Sequence, residues 1–282
     1  MFDAGLVLEG GGMKGVYTAG VLDFFLDKGL EFKNVYGVSA GACTMSSFVS
    51  KQRGRARDTF VDYLGEDFYM GFKSLLTTGD IFNVNMSYDL VPRYLNPFDY
   101  ETFSKFEGNV YAVVTNIETG KAEYAKLTDM KKGIDYVRAS SSLPLVSRNV
   151  KIDGKLYLDG GIADSIPIKK SMDDGNVKNV VIMTKPVGYR REPESNLPLI
   201  RLRYLKYPKV YELMKERHIS YNKTLDYLEK ASKEGRLFLI RPLEDTKIGR
   251  LEKDKDKLNA LYEAGYKDAS DCYESLMEYL NK

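Results

Sequence analysis

The sequence predicts an α/β protein, a three-layer α/β/α sandwich with a mostly parallel central sheet. Short apolar runs alternate with longer stretches of helical spacing, an order that builds a parallel sheet covered on both faces. Glycine-rich turns join the first two predicted strands to the helices that follow them. The 282 residues, 43% hydrophobic and 29% charged, suffice for one large domain or for a core with an extension.

The first two strand–helix units occupy the N-terminal part of the chain. Residues 4–8 form an apolar run that predicts a buried strand, and residues 16–30 have the spacing of an amphipathic helix. Residues 34–38 and 40–51 repeat this order with a second strand and a second helix. Later elements are predicted as a strand over 110–116 that turns into a hairpin ending at 125, a helix over 134–140, a hairpin over 151–158 and a strand over 180–184.

The chain changes character toward its C-terminus. We predict a core over residues 1–187 and a mainly helical extension over residues 188–282. Helical spacing over 209–233 and 255–280 is separated by one short strand over 237–240. Because a lone strand needs a partner, we expect the extension to pack on the core and to complete its sheet.

Charge and cysteine content exclude some classes of function. A formal net charge of +2 argues against a dedicated nucleic-acid-binding protein. The two cysteines, Cys43 and Cys272, form no metal-binding or disulfide pattern, so we expect a reducing compartment and a cytoplasmic location. Cys43 follows Ser39 by four residues on one helix face, and we interpret it as a small buried packing residue rather than a nucleophile.

The most informative motif is Gly37-Val38-Ser39-Ala40-Gly41, between the second predicted strand and the second predicted helix. A nucleophile elbow requires this strand–turn–helix order, with the serine on a strained turn. The two glycines allow neighbouring elements to approach that turn. Ser39 would lie at a helix N-terminus, where free backbone N–H groups favour developing negative charge.

A second motif, Gly10-Gly11-Gly12-Met13-Lys14-Gly15, joins the first strand to the first helix. Its pattern G-x-G-x-x-G is typical of dinucleotide-binding folds, so a nucleotide-binding protein is one interpretation. Those folds place an acidic residue near the end of the second strand, whereas this strand ends at Val38 and Ser39. A Walker loop also fails, because Lys14 precedes the last glycine of the motif.

The other interpretation of the glycine loop joins it to Ser39. Successive backbone N–H groups of Gly10, Gly11 and Gly12 would surround a concavity and form an oxyanion hole for a carbonyl that Ser39 attacks. Lys14 would add positive charge in the same place. A tight turn without a ligand is the simpler alternative.

Two residues are candidates for the base that activates Ser39. His218 is the one histidine of the chain, and the order Ser39, Asp159, His218 matches the triad order of α/β-hydrolases. We nevertheless interpret His218 as an exposed helical histidine without a catalytic role. Asp159 ends a predicted strand, and Gly160 and Gly161 free the backbone to turn inward. A dry pocket would raise its pKa above about 3.9, although a plain Asp-Gly turn is the alternative.

These three motifs, in this order, resemble those of the patatin-like phospholipase family of bacterial type. The resemblance covers about residues 4–187, and the C-terminal part resembles bacterial patatin-like proteins more loosely. It implies a lipid acyl hydrolase of phospholipase A or esterase type with a Ser–Asp dyad and no histidine. Ser39 would be the nucleophile, Asp159 the base, and the amides of Gly10, Gly11 and Gly12 the oxyanion hole, with no metal or organic cofactor. The supporting motif residues are Lys14, Gly15, Gly37, Ala40, Gly41, Gly160 and Gly161.

Two weaker matches accompany the resemblance. The segment from Ala139 to Pro144 resembles the family's small-residue segment near the site, and we interpret its serines, residues 140–142, as helix-capping residues. Asp164 stands where the family often carries Asn, which puts a second carboxylate near the site.

The remaining expectations concern the lipid and the membrane. Residues 70–106 are rich in aromatic and aliphatic side chains, as in a lid or acyl groove, or equally in a helical insertion over the sheet edge. Residues 200–209 interleave basic and amphipathic side chains, which suit peripheral contact with anionic lipid or a helix packed by its tyrosines. No signal peptide or run of roughly 18 apolar residues is visible, so we expect lipid to be reached from the membrane surface. The sequence does not indicate an oligomeric state.

Overall fold

The computed structural model describes residues 1–66 and 69–282, which form one eight-stranded sheet with helices around it. The predicted α/β class with a mostly parallel sheet is confirmed. The strands are β1 (Phe2–Leu8), β2 (Phe32–Val38), β3 (Asn109–Asn116), β4 (Lys121–Lys126), β5 (Val150–Ile152), β6 (Lys155–Asp159), β7 (Lys178–Ile182) and β8 (Phe238–Ile240).

Parallel strands make up the body of the sheet. β8, β7, β1, β2 and β3 lie side by side in this order, and each neighbouring pair is parallel. β4 returns antiparallel along β3, and β5 and β6 form an antiparallel hairpin. In a parallel sheet the carboxyl ends of the strands lie at the same end of the sheet. The glycine loop follows β1 and the serine segment follows β2 at this end.

Two strands, β2 and β6, pair with different parts of the same edge of β3. β4 pairs with β3 along residues 111–116, so it occupies one edge over this whole length. β2 pairs with β3 as far as Val38 opposite Val113, and β6 pairs with it from Asp159 opposite Val114. Because both must use the edge that β4 leaves open, β2 and β6 meet end to end there. The end of β2 and the end of β6 therefore face consecutive residues of β3.

Helices cover both faces of the sheet. Leu6 and Leu8 of β1 pack in one core with α1, α2 and α10, whereas Val7 points to the opposite face and packs with Leu225 of α9. The helices are α1 (Gly15–Asp27), α2 (Ala40–Val49), α3 (Arg55–Val61), α4 (Phe72–Thr78), α5 (Tyr100–Ser104), α6 (Met130–Ser140), α7 (Ile168–Asp173), α8 (Leu197–Arg203), α9 (Pro208–Lys233), α10 (Lys255–Asp271) and α11 (Tyr273–Asn281).

The C-terminal segment is bound to the rest of the chain on both faces. β8 lies beside β7, and α10 packs on α1, where Tyr17 donates a hydrogen bond to Asp268 at 2.7 Å.

Several helix boundaries differ from the prediction, including those of α2, which ends at Val49 rather than residue 51, and of α6, which begins at Met130 rather than residue 134. α1 ends at Asp27 because Gly29 adopts a positive φ of 66°, and the long final helix is divided at Cys272. Within residues 1–66 and 69–282, none of the helices has both the length and the apolar character needed to cross a bilayer.

Candidate active site

Ser39 stands on a strained turn between β2 and α2. Its φ of 55° and ψ of −121° are unusual for a residue with a side chain, and such strain concentrates at functional sites. The glycine loop lies directly against it, because a Cβ atom on residue 10 would be 2.9 Å from the Cβ of Ser39. A glycine at position 10 is therefore needed for this close approach.

Ser140, at the end of α6, forms a hydrogen bond with the turn that carries Ser39. Its fully buried hydroxyl accepts a hydrogen bond from the backbone amide of Ser39 at 2.8 Å and donates one to the carbonyl of Val113 at 2.6 Å. The serine turn is thereby attached to β3 at the residue that pairs with the end of β2. The sequence predicts a helix-capping role for Ser140, whereas in the structure its hydroxyl joins the nucleophile turn to β3.

Asp159 ends β6 and lies beside Ser39, as the end-to-end meeting of β2 and β6 requires. Its carboxylate is buried and accepts a hydrogen bond from the backbone amide of Gly161 at 2.7 Å. Burial raises the pKa of Asp159 above its usual value, while the positive charge of Arg217 and a hydrogen bond with Ser39 act in the opposite direction. The structure thus brings Ser39 and Asp159 together, with the aspartate more basic than an exposed one.

The glycine loop, residues 10–12, forms the third side of the site. Within the described part of the chain, the backbone N–H groups of Gly10, Gly11 and Gly12 donate no hydrogen bond. Glu9, just before the loop, is buried and fixes its position, since its carboxylate accepts hydrogen bonds from the backbone amide of Thr184 at 2.7 Å and from the hydroxyl of Tyr221. Glu9 was not predicted from the sequence, although an acidic residue directly between an apolar strand and a glycine loop could have signalled it.

The other motif residues lie around this centre. Lys14 is in the short 3-10 turn before α1, and Gly15 begins α1 against Ala40. Gly37 in β2 leaves room for Met45, and Gly41 in α2 packs on the carbonyl of Leu8. Gly160 packs on the backbone of Val113, and Gly161 lies between Asp159 and Arg217. Within residues 1–66 and 69–282, no group of His, Cys, Asp and Glu side chains could hold a metal ion.

His218 does not line the cavity that contains Ser39 and Asp159, whereas the preceding residue, Arg217, does. Both are on α9, and one residue along a helix turns the side chain by about 100°. His218 is half-buried rather than exposed as predicted, so that expectation was wrong.

Four basic side chains line the same cavity: Lys185, Arg191, Arg217 and Arg250. Burial lowers the pKa of Arg217 to about 9, and the charge of Arg191 acts in the same direction. Burial likewise lowers the pKa of Lys185 to about 8. The sequence reasoning missed all four, because single basic residues in polar segments normally indicate a solvated surface.

A second, mostly apolar cavity opens beside Ser39 on the side of α2 and α6. Val137 of α6 and Phe60 of α3 contribute to its wall, as do Phe82, Tyr88, Val91 and Phe98 from the aromatic-rich segment 70–106. Cys43 is part of the same wall, and burial raises the pKa of its thiol, which opposes thiolate chemistry. Segment 70–106 thus combines short helices with a cavity-lining role.

The sequence predicts that Asp164 is a second carboxylate near the site. Asp164 lies outside both cavities and accepts a hydrogen bond from the hydroxyl of Tyr124 at 2.8 Å.

In α8, Ile200 is buried while Leu199 and Leu202 are 57% and 69% exposed. The following residues continue this pattern, with Tyr204 buried and Leu205 68% exposed.

Comparison with known proteins adds to this geometry. A family model described as patatin-like phospholipase matches residues 6–171, and another, described as a domain of unknown function (DUF6363), matches residues 207–281. The uncharacterized protein YjjU of Escherichia coli is 28% identical over 267 residues, which is 87% of this chain and 74% of that protein. Lysophospholipase nte1 of Aspergillus terreus is 24% identical over 304 residues, which is 96% of this chain but 18% of that protein.

Solved structures include similar chains, of which VipD is one. VipD from Legionella pneumophila has a TM-score of 0.47 and 15% sequence identity, with 100% of this chain and 67% of that chain covered. The chain spans about three quarters of YjjU and less than a fifth of the lysophospholipase.

Proposed function

The chain belongs to the patatin-like phospholipase family, and from that membership we propose that it hydrolyses lipid acyl esters with a Ser39–Asp159 dyad. The observation that carries the proposal is the contact of the buried Asp159 carboxylate with the Ser39 side chain. A carboxylate whose pKa is raised by burial is a better base near neutral pH than an exposed one. The strained elbow and the free loop amides supply the other two parts that acyl transfer needs.

In the first step, the hydroxyl of Ser39 attacks the ester carbonyl and its proton passes to Asp159. The carbonyl oxygen becomes an oxyanion, which the amides of Gly10, Gly11 and Gly12 stabilise by hydrogen bonds. One such donor lowers the barrier by about 2.7–4 kcal/mol in a comparable site. The bond from carbonyl carbon to alcohol oxygen then breaks, and the alcohol leaves with the proton that Asp159 held.

In the second step, water replaces the alcohol. Asp159 accepts a proton from the water, whose oxygen attacks the acyl group on Ser39. The same amides hold the second oxyanion, and the bond to the Ser39 oxygen breaks as Asp159 returns the proton to it. A fatty acid leaves and the free serine is restored.

The substrate is proposed to be a lipid because the apolar cavity next to Ser39 has the lining that an acyl chain needs. The relative from Aspergillus terreus is named a lysophospholipase, which favours the same class. We propose that residues 1–187 form the catalytic core and that residues 188–282 form the extension.

We further propose that α8 and the residues after it make peripheral contact with membranes. Leu199, Leu202 and Leu205 are exposed in a segment that also carries exposed basic residues, and exposed apolar side chains beside cations suit an anionic lipid surface. Co-sedimentation with anionic vesicles is expected to exceed that with neutral vesicles. Equal sedimentation with both would contradict this contact.

Labelling with a fluorophosphonate, followed by peptide mapping, tests the nucleophile. We expect the label on Ser39, no label on the Ser39→Ala protein, and loss of p-nitrophenyl ester hydrolysis in Ser39→Ala and Asp159→Asn. Ser165→Ala is the matched control and should keep both the label and the activity. The Ser165 hydroxyl lies near Gly161 but donates its hydrogen bond to the Gly161 carbonyl at 2.6 Å. A label elsewhere in the chain would overturn the mechanism.

A further inference from the structure

Four basic side chains line the cavity that contains Ser39 and Asp159. They are Lys185, Arg191, Arg217 and Arg250, and the carboxylates in the same lining are Asp159 and Glu9. Glu9 is already engaged by Thr184 and Tyr221. The cavity therefore holds more positive charge than its own acidic groups compensate.

Two of these cations, Arg217 and Lys185, are buried, and in the part of the chain that the structure describes neither forms a close ion pair. The charges of Asp159 and Glu9 favour their charged forms only in part, since the pKa of each remains lowered. Arg217 is 8% exposed, and within residues 1–66 and 69–282 its Nε and Nη1 atoms have no hydrogen-bond partner. Lys185 is 6% exposed, and its ammonium lies 5.4 Å from the centre of the Tyr189 ring. A buried charge without a partner is costly, so such an arrangement in a substrate cavity indicates that a ligand supplies the opposite charge.

The cations repel one another, as their pKa values indicate. The charge of Arg191 contributes to the lowered pKa of Arg217, and the charges of Lys14 and Arg250 contribute to the lowered pKa of Lys185. A bound anion would relieve this repulsion and favour the charged forms.

All four residues lie after residue 171, where the match to the phospholipase model ends. Arg217 and Arg250 belong to the segment that matches the domain of unknown function. Arg250 is attached directly to the glycine loop, because its backbone carbonyl accepts a hydrogen bond from the amide of Met13 at 3.0 Å. The C-terminal segment thus completes the cavity around the nucleophile.

We propose that this cationic cluster is a phosphate-binding subsite, which selects acyl esters whose headgroup carries a phosphate close to the scissile ester. The planar donor groups of arginine match phosphate oxygens, and several cations together suit a doubly charged phosphomonoester. This inference rests on the proposed hydrolysis, and it assigns the C-terminal segment the recognition of the headgroup. The apolar cavity would hold the acyl chain on the other side of Ser39.

The test compares two substrates with one acyl chain, a 1-acylglycerol 3-phosphate and the corresponding neutral 1-acylglycerol. We expect wild-type protein to prefer the phosphorylated ester in kcat/KM. In Arg191→Gln and in Arg250→Gln, the ratio of the two kcat/KM values is expected to fall about tenfold or more, since a hydrogen bond to a charged group is lost. A ratio that stays at the wild-type value in both variants would overturn the proposal.

Arg190→Gln is the matched control. Arg190 is the neighbour of Arg191, but it forms an ion pair with Asp226 at 2.6 Å and does not line the cavity. Its ratio of kcat/KM values is expected to equal that of the wild type. A fall as large as that of Arg191→Gln would mean that general surface charge causes the preference, which would overturn the subsite.

A binding measurement separates the subsite from the hydrolysis. Inorganic phosphate is titrated calorimetrically into Ser39→Ala protein and into the same protein with Arg250→Gln added. We expect weaker binding in the double variant, whether or not any ester is hydrolysed. Phosphate binding without a headgroup preference would assign the cluster to free phosphate and overturn its role in substrate selection. Absence of binding to Ser39→Ala protein would overturn the subsite itself, while leaving the dyad untouched.

Discussion

The hydroxyl of Ser140 accepts a hydrogen bond from the backbone amide of Ser39 at 2.8 Å, which links the end of α6 to the nucleophile turn. In Ser140→Ala, the backbone amide of Ser39 and the carbonyl of Val113 both lose their hydrogen bond with this hydroxyl. We expect unfolding free energy to fall by about 1–3 kcal/mol and kcat to decrease, because the strained turn is less firmly held. Urea denaturation and ester hydrolysis measure the two effects.

Ser142→Ala is the matched control for this prediction. Ser142 lies at the same helix end, and its hydroxyl donates to the carbonyl of Arg138 at 2.8 Å without touching the turn. It should lose stability but retain the wild-type kcat of the folded fraction. If both variants lost kcat equally, Ser140 would have no particular role in holding Ser39.

Removal of the imidazole is expected to leave ester hydrolysis intact. His218 does not line the cavity that contains Asp159, so His218→Asn should keep kcat/KM within about twofold, whereas Asp159→Asn should lose nearly all activity. Hydrolysis of p-nitrophenyl esters by the two variants measures the difference. A large loss in His218→Asn would favour a triad instead of the dyad.

The acid limb of the pH profile should depend on Arg217. Asp159 acts as a base when it is deprotonated, and burial raises its pKa while Arg217, Arg250, the Gly161 amide and Ser39 lower it. Removal of the Arg217 charge in Arg217→Gln therefore raises the pKa further, and kcat/KM should begin to fall at a higher pH than in the wild type. The profile is measured with a neutral ester, so that headgroup recognition does not contribute.

Arg190→Gln controls for a general loss of positive charge on this side of the molecule. Its acid limb is expected to coincide with that of the wild type, since Arg190 is paired with Asp226. A shift of the acid limb to lower pH in Arg217→Gln would contradict the assignment of Asp159 as the base.

The apolar cavity should set the preferred acyl length. Val137→Phe adds volume to its wall and is expected to lower hydrolysis of long-chain esters more than that of acetate esters. Val187→Phe, at a half-exposed position outside the cavity, should keep the wild-type ratio of long-chain to acetate activity. A Val137→Phe protein with an unchanged ratio would show that acyl chains bind elsewhere.

The strand–helix alternation and the serine turn could be predicted from the sequence because both depend on neighbouring residues. The apolar run at 4–8 and the glycines around Ser39 lie within a few positions of what they determine. The chain gives no local signal that β2 and β6 share an edge of β3, since that relation depends on how β4 pairs.

The cationic cluster was not predictable for a related reason. Lys185, Arg191, Arg217 and Arg250 come from separate segments, and each resembles an ordinary surface charge in the sequence. Arg217 comes from α9, Arg250 from the loop after β8, and Lys185 and Arg191 from the segment between β7 and α8, so only the tertiary packing of these segments brings them to one cavity. Likewise, no pattern distinguishes Arg217 from His218, because the choice depends on the rotation of α9 about its axis.

The meeting of β2 and β6 on β3 also determines how this protein can vary. Val113 and Val114 are adjacent, so the pairing positions of Val38, which precedes Ser39, and of Asp159 are offset by one residue, about 3.3 Å along β3. The connections that lead into β2 and β6 do not enter that distance. Insertions and deletions in those loops can therefore accumulate during evolution, or be introduced by design, while the reacting pair keeps its spacing.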